Sequence, residues 1–531
     1  MMVAGVLLES PYFGKPEMKP ISFLAFPALS LLALAPLSIL HAEPATTSTI
    51  LTPKPPAEPR INGPKIFGVR PGSPFLYSIP ATGERPMTFS AKGLPEGLAL
   101  DATGGRITGT SKQAGTHEVI LTAKNAKGQV ERPFRIVVGD EIALTPPMGW
   151  NSWNCWGGRI DQAKTLAAAK AIVRHGLDRH GWTYVNIDDA WQGERGGPHN
   201  AIQPDPKRFQ DMKGLCNEIH GMGLKVGIYS TPWVTTYARR IGGSSENEKG
   251  DWTHPGDGPK TVNKKILPWA IGKYSFATND AKQWAEWGID YLKYDWNPIE
   301  VPETAEMAKA LRESGRDVVF SLSNSTPFKS IGELGKIANC WRTTGDIKDT
   351  WDSMSKKGFT QDKWEPYAKP GHFNDPDMLV VGHVGWGKPH PTNLTADEQY
   401  THISIWSLLS APLLLGCDLE KMDDFTLGLL TNDEVLAVNQ DILCKQATKV
   451  AGKDKLVVFA KDLEDGSKAV GLFNLGDKEE TVAVTWKDLG ISGTQTVRDL
   501  WRQKDLANHA EGYEAPVASH GVVLVRVFPA R

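Results

Sequence analysis

The sequence predicts a multidomain protein in which a central (β/α)8 barrel is flanked by two β-sandwiches. With 531 residues, the chain is too long for one ordinary domain. Short alternating apolar runs occupy both ends, whereas helix-like segments that end in Gly and precede a buried apolar run repeat through the middle. We expect a signal peptide at 1–42, a linker at 43–60, a sandwich at 61–140, the barrel at 141–447 and a second sandwich at 448–531.

The first 42 residues have the layout of an export signal. Met18 is an alternative start of the chain, and a lysine follows it. An apolar run then occupies 21–40, and a small residue follows at a plausible cleavage point. A transmembrane anchor is the alternative, but Pro27 and Pro36 interrupt the run and no basic cluster follows it. We therefore expect a bacterial protein that is exported to the periplasm or the outside, without stable membrane insertion after cleavage.

The two flanking segments carry strand patterns. Residues 43–60 are rich in Pro and Thr, which is typical of a linker. Runs such as FLYSI, RITGT and HEVILTA within 61–140, and KLVVFAKDL, ETVAVTW and GVVLVRVF within 448–531, predict antiparallel sandwiches. The stretch that begins GLPEGLALD closely resembles the immunoglobulin-like (cadherin-like) modules of bacterial secreted and surface proteins. This resemblance implies a spacer or docking role for the N-terminal sandwich.

The middle segment repeats a helix, a Gly and a buried strand. HGWTYVNIDD, MGLKVGIYS, WGIDYLKYD and SGRDVVFSLS follow this order, and ETAEMAKALRES has apolar residues at helical spacing before Gly315. The candidate strands are 148–153, 184–188, 225–230, 290–295, 317–323, 340–345, 370–374 and 408–415. Eight such strands fit a closed parallel barrel. A doubly wound open sheet is the alternative, although no GxGxxG follows the first strand.

Acidic residues recur where the predicted strands end, which is where barrel enzymes carry their chemistry. Asp188 and Asp189 follow YVNI, Asp295 follows YLKY, Asp346 follows WRTTG, and Asp377 lies in FNDPDM. Two carboxylates that face each other across a pocket are the minimum equipment for cleaving a glycoside, and the fourth and sixth strands would bring Asp295 and Asp346 to one mouth.

Lys293 and the long segment 231–275 complete the predicted mouth. Lys293 is two residues before Asp295 on one strand, so both side chains point to the same, inward side. At that position, Lys293 either stabilises the ionised form of the Asp295 carboxylate or is itself kept protonated by that carboxylate. The segment 231–275 is long for a βα loop and is expected to lie over the active-site face.

Six motifs in order, MGWNSW, NIDDAW, GIYS, YLKYDW, WRTTGDI and NDPDML, resemble glycoside hydrolase family 27, the α-galactosidase and α-N-acetylgalactosaminidase family. The similarity runs from about residue 145 to residue 447, and a β-domain follows it as in that family. The resemblance implies that Asp295 is the nucleophile of a retaining reaction and that Asp346 is the general acid and base. It further implies that the sugar is bound by Trp153, Asp188, Asp189, Tyr229, Lys293, Ser323, Arg342 and Asp377.

The sequence departs from the family pattern in two places, and the second departure leaves the substrate open. Ala190 stands where animal and plant members carry a Cys, so the disulfide of that loop is absent. FSLSNSTPF lacks the Glu-Trp pattern that touches the 2-position of the sugar, so an α-N-acetylgalactosaminide is an alternative to an α-galactoside. A β-L-arabinopyranosidase of the same family is a further alternative. We favour galactose because Ser323 or Asn324 could hold its 2-hydroxyl.

Other classes of function are less compatible with the sequence. A net charge of −2 gives no attraction to nucleic acid, and no HExxH, phosphate loop or metal-ligand spacing is present, so we expect a sugar or glycan substrate, no cofactor and no metal. The sequence does not predict an oligomeric state. An aldolase-like Schiff base on Lys293 is disfavoured, because a carboxylate two residues away keeps the amine charged. A non-catalytic carbohydrate-binding protein is disfavoured because both carboxylates are present.

Overall fold

The computed structural model of the chain describes residues 49–250 and 269–530. The predicted signal peptide at 1–42, the first part of the predicted linker and residues 251–268 of the long segment lie outside the described residues. Within the two described ranges, no helix is both long and apolar enough to cross a membrane.

The N-terminal segment forms the predicted β-sandwich. Its strands are β1 (Arg60–Ile61), β2 (Ile66–Val69), β3 (Pro74–Ser78), β4 (Ala81–Thr82), β5 (Thr88–Lys92), β6 (Leu98–Asp101), β7 (Arg106–Thr110), β8 (Gly115–Asn125) and β9 (Gly128–Val138). A four-stranded sheet in the order β2-β9-β8-β5 and a three-stranded sheet in the order β3-β7-β6 enclose a core of their own. Val119, Leu121 and Ala123 alternate along β8 and point into that core.

In the part that the structure describes, the middle segment contains the barrel strands and three two-stranded antiparallel pairs. In chain order these strands are β10 (Met148–Asn151), β11 (Tyr184–Asn186), β12 (Gln192–Gly196), β13 (Ala201–Pro204), β14 (Lys225–Ser230), β15 (Ser244–Ser245), β16 (Tyr274–Ser275), β17 (Tyr291–Asp295), β18 (Val319–Ser323), β19 (Cys340–Arg342), β20 (Phe373–Asp375), β21 (His383–Val384), β22 (His390–Pro391) and β23 (Leu413–Leu415). The pairs are β12-β13, β15-β16 and β21-β22.

Eight of these strands form the predicted parallel barrel, in the order β20-β19-β18-β17-β14-β11-β10-β23. Leu379, just after β20, makes a parallel bridge to Leu415 of β23 and joins the two edges of the sheet. Every candidate strand overlaps an observed one. The eighth, expected at 408–415, is reduced to Leu413–Leu415, because Leu408 is the last residue of a buried helix and a continuous apolar run does not mark that boundary.

The helices surround the barrel, and several of them begin at a polar side-chain cap. They are α1 (Trp153–Trp156), α2 (Gln162–Arg174), α3 (Met212–Gly221), α4 (Ala277–Trp287), α5 (Val301–Glu313), α6 (Ile331–Ile337), α7 (Trp351–Gly358), α8 (Ala396–Leu408), α9 (Asp424–Leu430) and α10 (Asp433–Asn439). Asp161 caps α2, and Thr395 forms a capping box with Glu398 at the start of α8. Gly288 ends α4 at φ +92°, a left-handed conformation that turns the chain directly into β17.

The side chains of β17 alternate between two cores. Leu292 and Tyr294 pack outward in the large cluster that includes the helices, whereas Tyr291 belongs to a smaller cluster inside the barrel. Because alternate residues share a face, Lys293 and Asp295 point inward with Tyr291, as the sequence predicts.

The C-terminal segment forms the second predicted sandwich and packs on the barrel. Its strands are β24 (Thr448–Lys453), β25 (Leu456–Asp462), β26 (Lys468–Asn474), β27 (Glu480–Thr485), β28 (Gln495–Asp499), β29 (Lys504–His509), β30 (Gly512–Val517) and β31 (Val522–Pro529). The main sheet runs β24-β25-β26-β31-β28-β29. Phe459 and Phe473 on its inner face contact Phe359 beyond α7, at ring-centroid distances of 5.7 and 5.0 Å.

The N-terminal sandwich is fixed to the barrel at the amino ends of the strands, opposite the acidic residues. Asp317, just before β18, accepts hydrogen bonds from the backbone and guanidinium of Arg70 (2.8 and 3.2 Å) and from Ser73 (3.1 Å). Lys225, the first residue of β14, lies 4.5 Å from the ring centroid of Phe67. The sandwich is therefore docked on the face of the barrel that is remote from the predicted mouth.

The middle of the predicted linker is also held. Leu51 donates its backbone N–H to the hydroxyl of Tyr400 in α8 at 2.9 Å, and Thr52 donates to the carbonyl of Gly428 in α9 at 2.7 Å. Residues 49–52 thus lie against the helices of the barrel.

We predict that Asp317→Ala weakens the attachment of the N-terminal sandwich by about 2–3 kcal/mol, because charged hydrogen bonds to a partly buried carboxylate are lost. Limited proteolysis should then cut between the sandwich and the barrel faster than in the parent protein. Asp140→Ala is the matched control, since its ion pair with Arg312 is exposed (78% and 56% for the two side chains) and should matter little. Equal proteolysis rates for the two variants would contradict the anchoring role of Asp317.

Candidate active site

Asp295 lies at the carboxyl end of β17 and is 7% exposed. Tyr229, on the neighbouring strand β14, donates its hydroxyl to Oδ2 of Asp295 at 3.0 Å. Oδ1 is buried and has no hydrogen-bond partner among the residues that the structure describes. One oxygen is thus oriented by Tyr229 while the other is unbonded, so Tyr229 does more than pack the barrel.

Competing influences act on the ionisation of Asp295. Burial is the strongest and raises the pKa of its carboxyl, while the Lys293 ammonium lowers it. The charges of Asp188 and Asp346 raise it further, and the resulting pKa is about 6. Asp295 is therefore ionised at neutral pH but is a stronger base than an ordinary aspartate.

Lys293 is paired with Asp188, which follows β11, the strand on the far side of β14 from β17. Its Nζ donates to Oδ2 of Asp188 at 2.8 Å, and both side chains are nearly inaccessible. Burial alone would lower the pKa of Lys293, but Asp188 and Asp295 together raise it above its usual value. The amine therefore stays an ammonium, which argues against the Schiff-base alternative.

Asp189 connects the mouth to the long segment 231–275. Its carboxylate accepts the backbone N–H of Ala190 at 2.7 Å and that of Ala238 at 2.8 Å, and it also bonds the side chain of Thr236. Burial raises its pKa to about 7. Besides the sugar-binding role implied by the resemblance, Asp189 thus holds the start of the long loop.

Arg342, Asp346 and Asp377 form the opposite side of the mouth. Arg342 at the end of β19 contacts Asp377 at 2.7 Å and Asp346 at 3.4 Å. Asp377 also accepts the backbone N–H of Ile347 at 2.7 Å, so it fixes the residue next to Asp346. The side chain of Asp346 is 77% exposed, whereas that of Asp377 is 3% exposed. Asp346 therefore lies on the rim of the mouth and Asp377 supports it from below.

The segment after β18 adjoins the same site. Ser323 is the register partner of Asp295, and Asn324 and Ser325 that follow have left-handed φ values of +87° and +57°. Trp153, at the start of α1, is partly buried and packs against the apolar cluster inside the barrel, which includes Met378. All ten of the predicted site residues thus lie at the carboxyl ends of the barrel strands or just beyond them.

Tyr237 is a site residue that the sequence reasoning missed. Its hydroxyl accepts a hydrogen bond from Nδ2 of Asn324 at 3.0 Å. Burial raises its pKa, and the charges of Asp295 and Asp346 raise it further, so the hydroxyl lies near both carboxylates. The sequence feature that could have indicated Tyr237 is the pair of aromatic residues in PWVTTY, shortly after β14.

Comparison with known families agrees with this geometry. Residues 145–249 and 262–441 match the family described as "Alpha galactosidase A", and residues 453–527 match "Alpha galactosidase C-terminal beta sandwich domain". Residues 58–139 match the family described as "Putative Ig domain". The barrel match leaves residues 250–261 of the long segment unmatched.

Individual proteins are similar over most of the chain. The "Probable alpha-galactosidase" of Dictyostelium discoideum is 36% identical over 400 residues, which are 73% of this chain and 94% of that protein. A solved structure titled as a putative α-galactosidase of Bacteroides fragilis has a TM-score of 0.79 at 31% identity and covers 91% of this chain and 99% of its own. A β-L-arabinopyranosidase of Geobacillus stearothermophilus has a TM-score of 0.63 at 29% identity, with 73% and 97% covered.

Proposed function

Because the chain belongs to the α-galactosidase family, glycoside hydrolase family 27, we propose that it releases terminal α-linked galactose by double displacement at Asp295 and Asp346. The observation that carries the proposal is the state of Asp295. Its carboxylate is buried beside the Lys293 ammonium, one oxygen is held by Tyr229, and the other oxygen is unbonded within the described chain.

In the first step, Oδ1 of Asp295 attacks the anomeric carbon while the glycosidic bond breaks. The leaving oxygen takes the proton of Asp346, and a covalent galactosyl-enzyme of β configuration results. In the second step, Asp346 removes a proton from water, which attacks the anomeric carbon and releases α-galactose and the Asp295 carboxylate. The two inversions give net retention.

The exposures of the two carboxyl groups suit these roles. Asp295 is 7% exposed, and attack by a carboxylate is favoured where water is excluded. The side chain of Asp346 is 77% exposed, at the rim where a leaving group can depart and water can enter. Arg342 contacts Asp346 at 3.4 Å and thus holds it at the rim of the mouth.

Galactose is the substrate that we propose, with two alternatives that the site also suggests. Asp188 and Asp189 supply carboxylate oxygens for the 4- and 6-hydroxyls, and Ser323 or Asn324 supplies a polar group for the 2-hydroxyl. A β-L-arabinopyranoside lacks the 6-hydroxymethyl group, and an N-acetylgalactosaminide needs a recess beside the 323–326 segment. Hydrolysis of p-nitrophenyl α-galactoside in preference to the two corresponding p-nitrophenyl glycosides tests this choice. Export of the enzyme, expected from residues 1–42, is part of the same proposal.

We predict that Asp295→Gly lowers the turnover rate by about 10⁴-fold or more. The nucleophile is then absent, and the other catalytic groups contribute little without it. Added azide should restore part of the rate and give β-galactosyl azide, detected by NMR, because a small anion can occupy the emptied position. An unchanged thermal unfolding midpoint would show that the fold is intact. Retention of more than a few per cent of activity without azide would contradict the assignment.

The acid role of Asp346 predicts a dependence on the leaving group. Asp346→Ala should slow raffinose far more than 2,4-dinitrophenyl α-galactoside, since only the sugar leaving group needs a proton. Asp352→Ala is the matched control, because the Asp352 side chain is also 77% exposed but is paired with Lys356 on α7. Equal losses on both substrates in Asp346→Ala would show that this residue is not the acid.

The electrostatics of Asp295 predict the acidic limb of the pH profile. With a pKa of about 6, kcat/KM should fall as the pH drops below that value, because a protonated carboxyl cannot attack. Lys293 lowers the pKa of Asp295, so Lys293→Met should move the limb to higher pH, in addition to reducing the rate. Lys356→Met, at an exposed ion pair, should leave the limb in place. A limb that stays fixed or moves down in Lys293→Met would refute this electrostatic role.

A further inference from the structure

Three aromatic side chains from the long segment 231–275 cluster together beside the mouth. The ring centroids of Trp233 and Tyr237 are 5.2 Å apart, those of Tyr237 and Trp269 are 5.8 Å apart, and those of Trp233 and Trp269 are 6.4 Å apart. We call Trp233, Tyr237 and Trp269 the aromatic wall. Its members come from both flanks of residues 251–268, and a bridge between Trp233 and Ile271 joins the two flanks.

The aromatic wall is attached to the mouth from two sides. The backbone N–H of Ala238 donates to Asp189, and Asn324 donates to the Tyr237 hydroxyl, at 2.8 and 3.0 Å respectively. Asn297, two residues after Asp295, donates to the carbonyl of Asn324 at 3.3 Å. Tyr237 is therefore held at the carboxyl ends of the barrel strands, against Asn324, which directly follows the strand paired with Asp295.

The exposure of the aromatic wall changes from its inner to its outer member. Trp233 is 6% exposed, whereas Trp269 is 47% exposed, which makes it one of the most exposed large apolar side chains that the structure describes. The indole N–H of Trp269 points to the carbonyl of Thr236 at 3.4 Å, so the ring is positioned rather than hanging into solvent. A positioned, half-exposed indole offers a flat apolar face, which matches the C–H face of a pyranose ring.

The location of the aromatic wall points to the leaving group and not to the galactose ring. The groups proposed for galactose, among them Asp188 and Lys293, are buried within the mouth. Tyr237 lies near both Asp295 and the exposed Asp346, and Trp269 is the solvent-facing member beyond it. Bond cleavage occurs between these two carboxyl groups, so a leaving group departs along this rim.

We propose that the aromatic wall is a leaving-group subsite, in which Trp269 stacks on the first sugar ring beyond the scissile bond. The inference rests on the proposed function, because it needs departure past Asp346. It adds a substrate class: galactosylated oligosaccharides or polysaccharides are preferred over galactosides with small leaving groups.

Two substrates separate this subsite from the catalytic centre. Raffinose has a sugar as its leaving group, whereas α-galactosyl fluoride has a single atom that cannot reach a stacking platform. Trp269→Ala should lower kcat/KM on raffinose about tenfold, the size expected for the loss of one stacking contact, and leave the rate on the fluoride within about twofold. Trp269→Phe, which retains a flat ring, should recover most of the raffinose activity.

Transfer of galactose to an acceptor sugar gives a second readout of the same subsite. With galactosyl fluoride as donor and sucrose as acceptor, Trp269→Ala should form less raffinose relative to free galactose than the parent enzyme, because the acceptor occupies the leaving-group position. Leu443→Ala is the control, since Leu443 is 37% exposed beside Asp441, at the amino side of the barrel, and should change neither rate nor transfer.

The possible outcomes distinguish a failure of the subsite from a failure of the proposed function. Equal losses on raffinose and the fluoride would mean that Trp269 only supports the loop, and no loss on either would mean that it binds nothing; both results overturn the subsite. If the parent enzyme cleaves neither substrate, the proposed function itself fails. A selective loss on raffinose together with reduced transfer to sucrose supports the subsite.

Discussion

The buried ammonium of Lys293 is the interaction on which the mouth of the barrel depends. Carboxylates accumulate at one end of the sheet, and burial would protonate them unless cations share the space. Lys293 compensates Asp188 and Asp295, while Arg342 compensates Asp377 on the other side. The alternation of β17 places Lys293 and Asp295 on the inner face together, so the secondary structure itself delivers the cation to the carboxylate that needs it.

Near that charged centre, two further carboxylates each hold the backbone of a different segment. Asp189 reaches outward to the backbone of Ala238 and thus ties the long loop to the strand ends. Asp377 reaches sideways to the backbone of Ile347 and thus fixes the rim that carries Asp346. These carboxylates are structural members of the site as well as polar groups, which explains why so many acidic residues are kept in one place despite their mutual repulsion.

The barrel and its mouth could be predicted from sequence because both follow from local patterns. Eight apolar runs preceded by helices gave the strands, and carboxylates directly after them had to meet at one edge. Tyr237 could not be predicted, because its position depends on the path of a loop and on two long-range hydrogen bonds. One joins the next residue, Ala238, to Asp189 across 49 residues, and the other joins Tyr237 to Asn324 across 87 residues. The docking of the N-terminal sandwich was also beyond the sequence, since Asp317 and Arg70 carry no mark that they are partners.

The attachment of the N-terminal sandwich limits how freely such a module can be exchanged between proteins. An apolar crevice between the two domains is lined by Phe67 and Leu76 on one side and by Leu144, Met148 and Tyr184 on the other. A chain trimmed to begin near residue 141 would expose that lining to water and would have an aggregation-prone apolar patch at the base of the barrel. The sandwich and the barrel of this chain are therefore a matched pair, and a sandwich grafted from another protein would have to cover the same apolar lining.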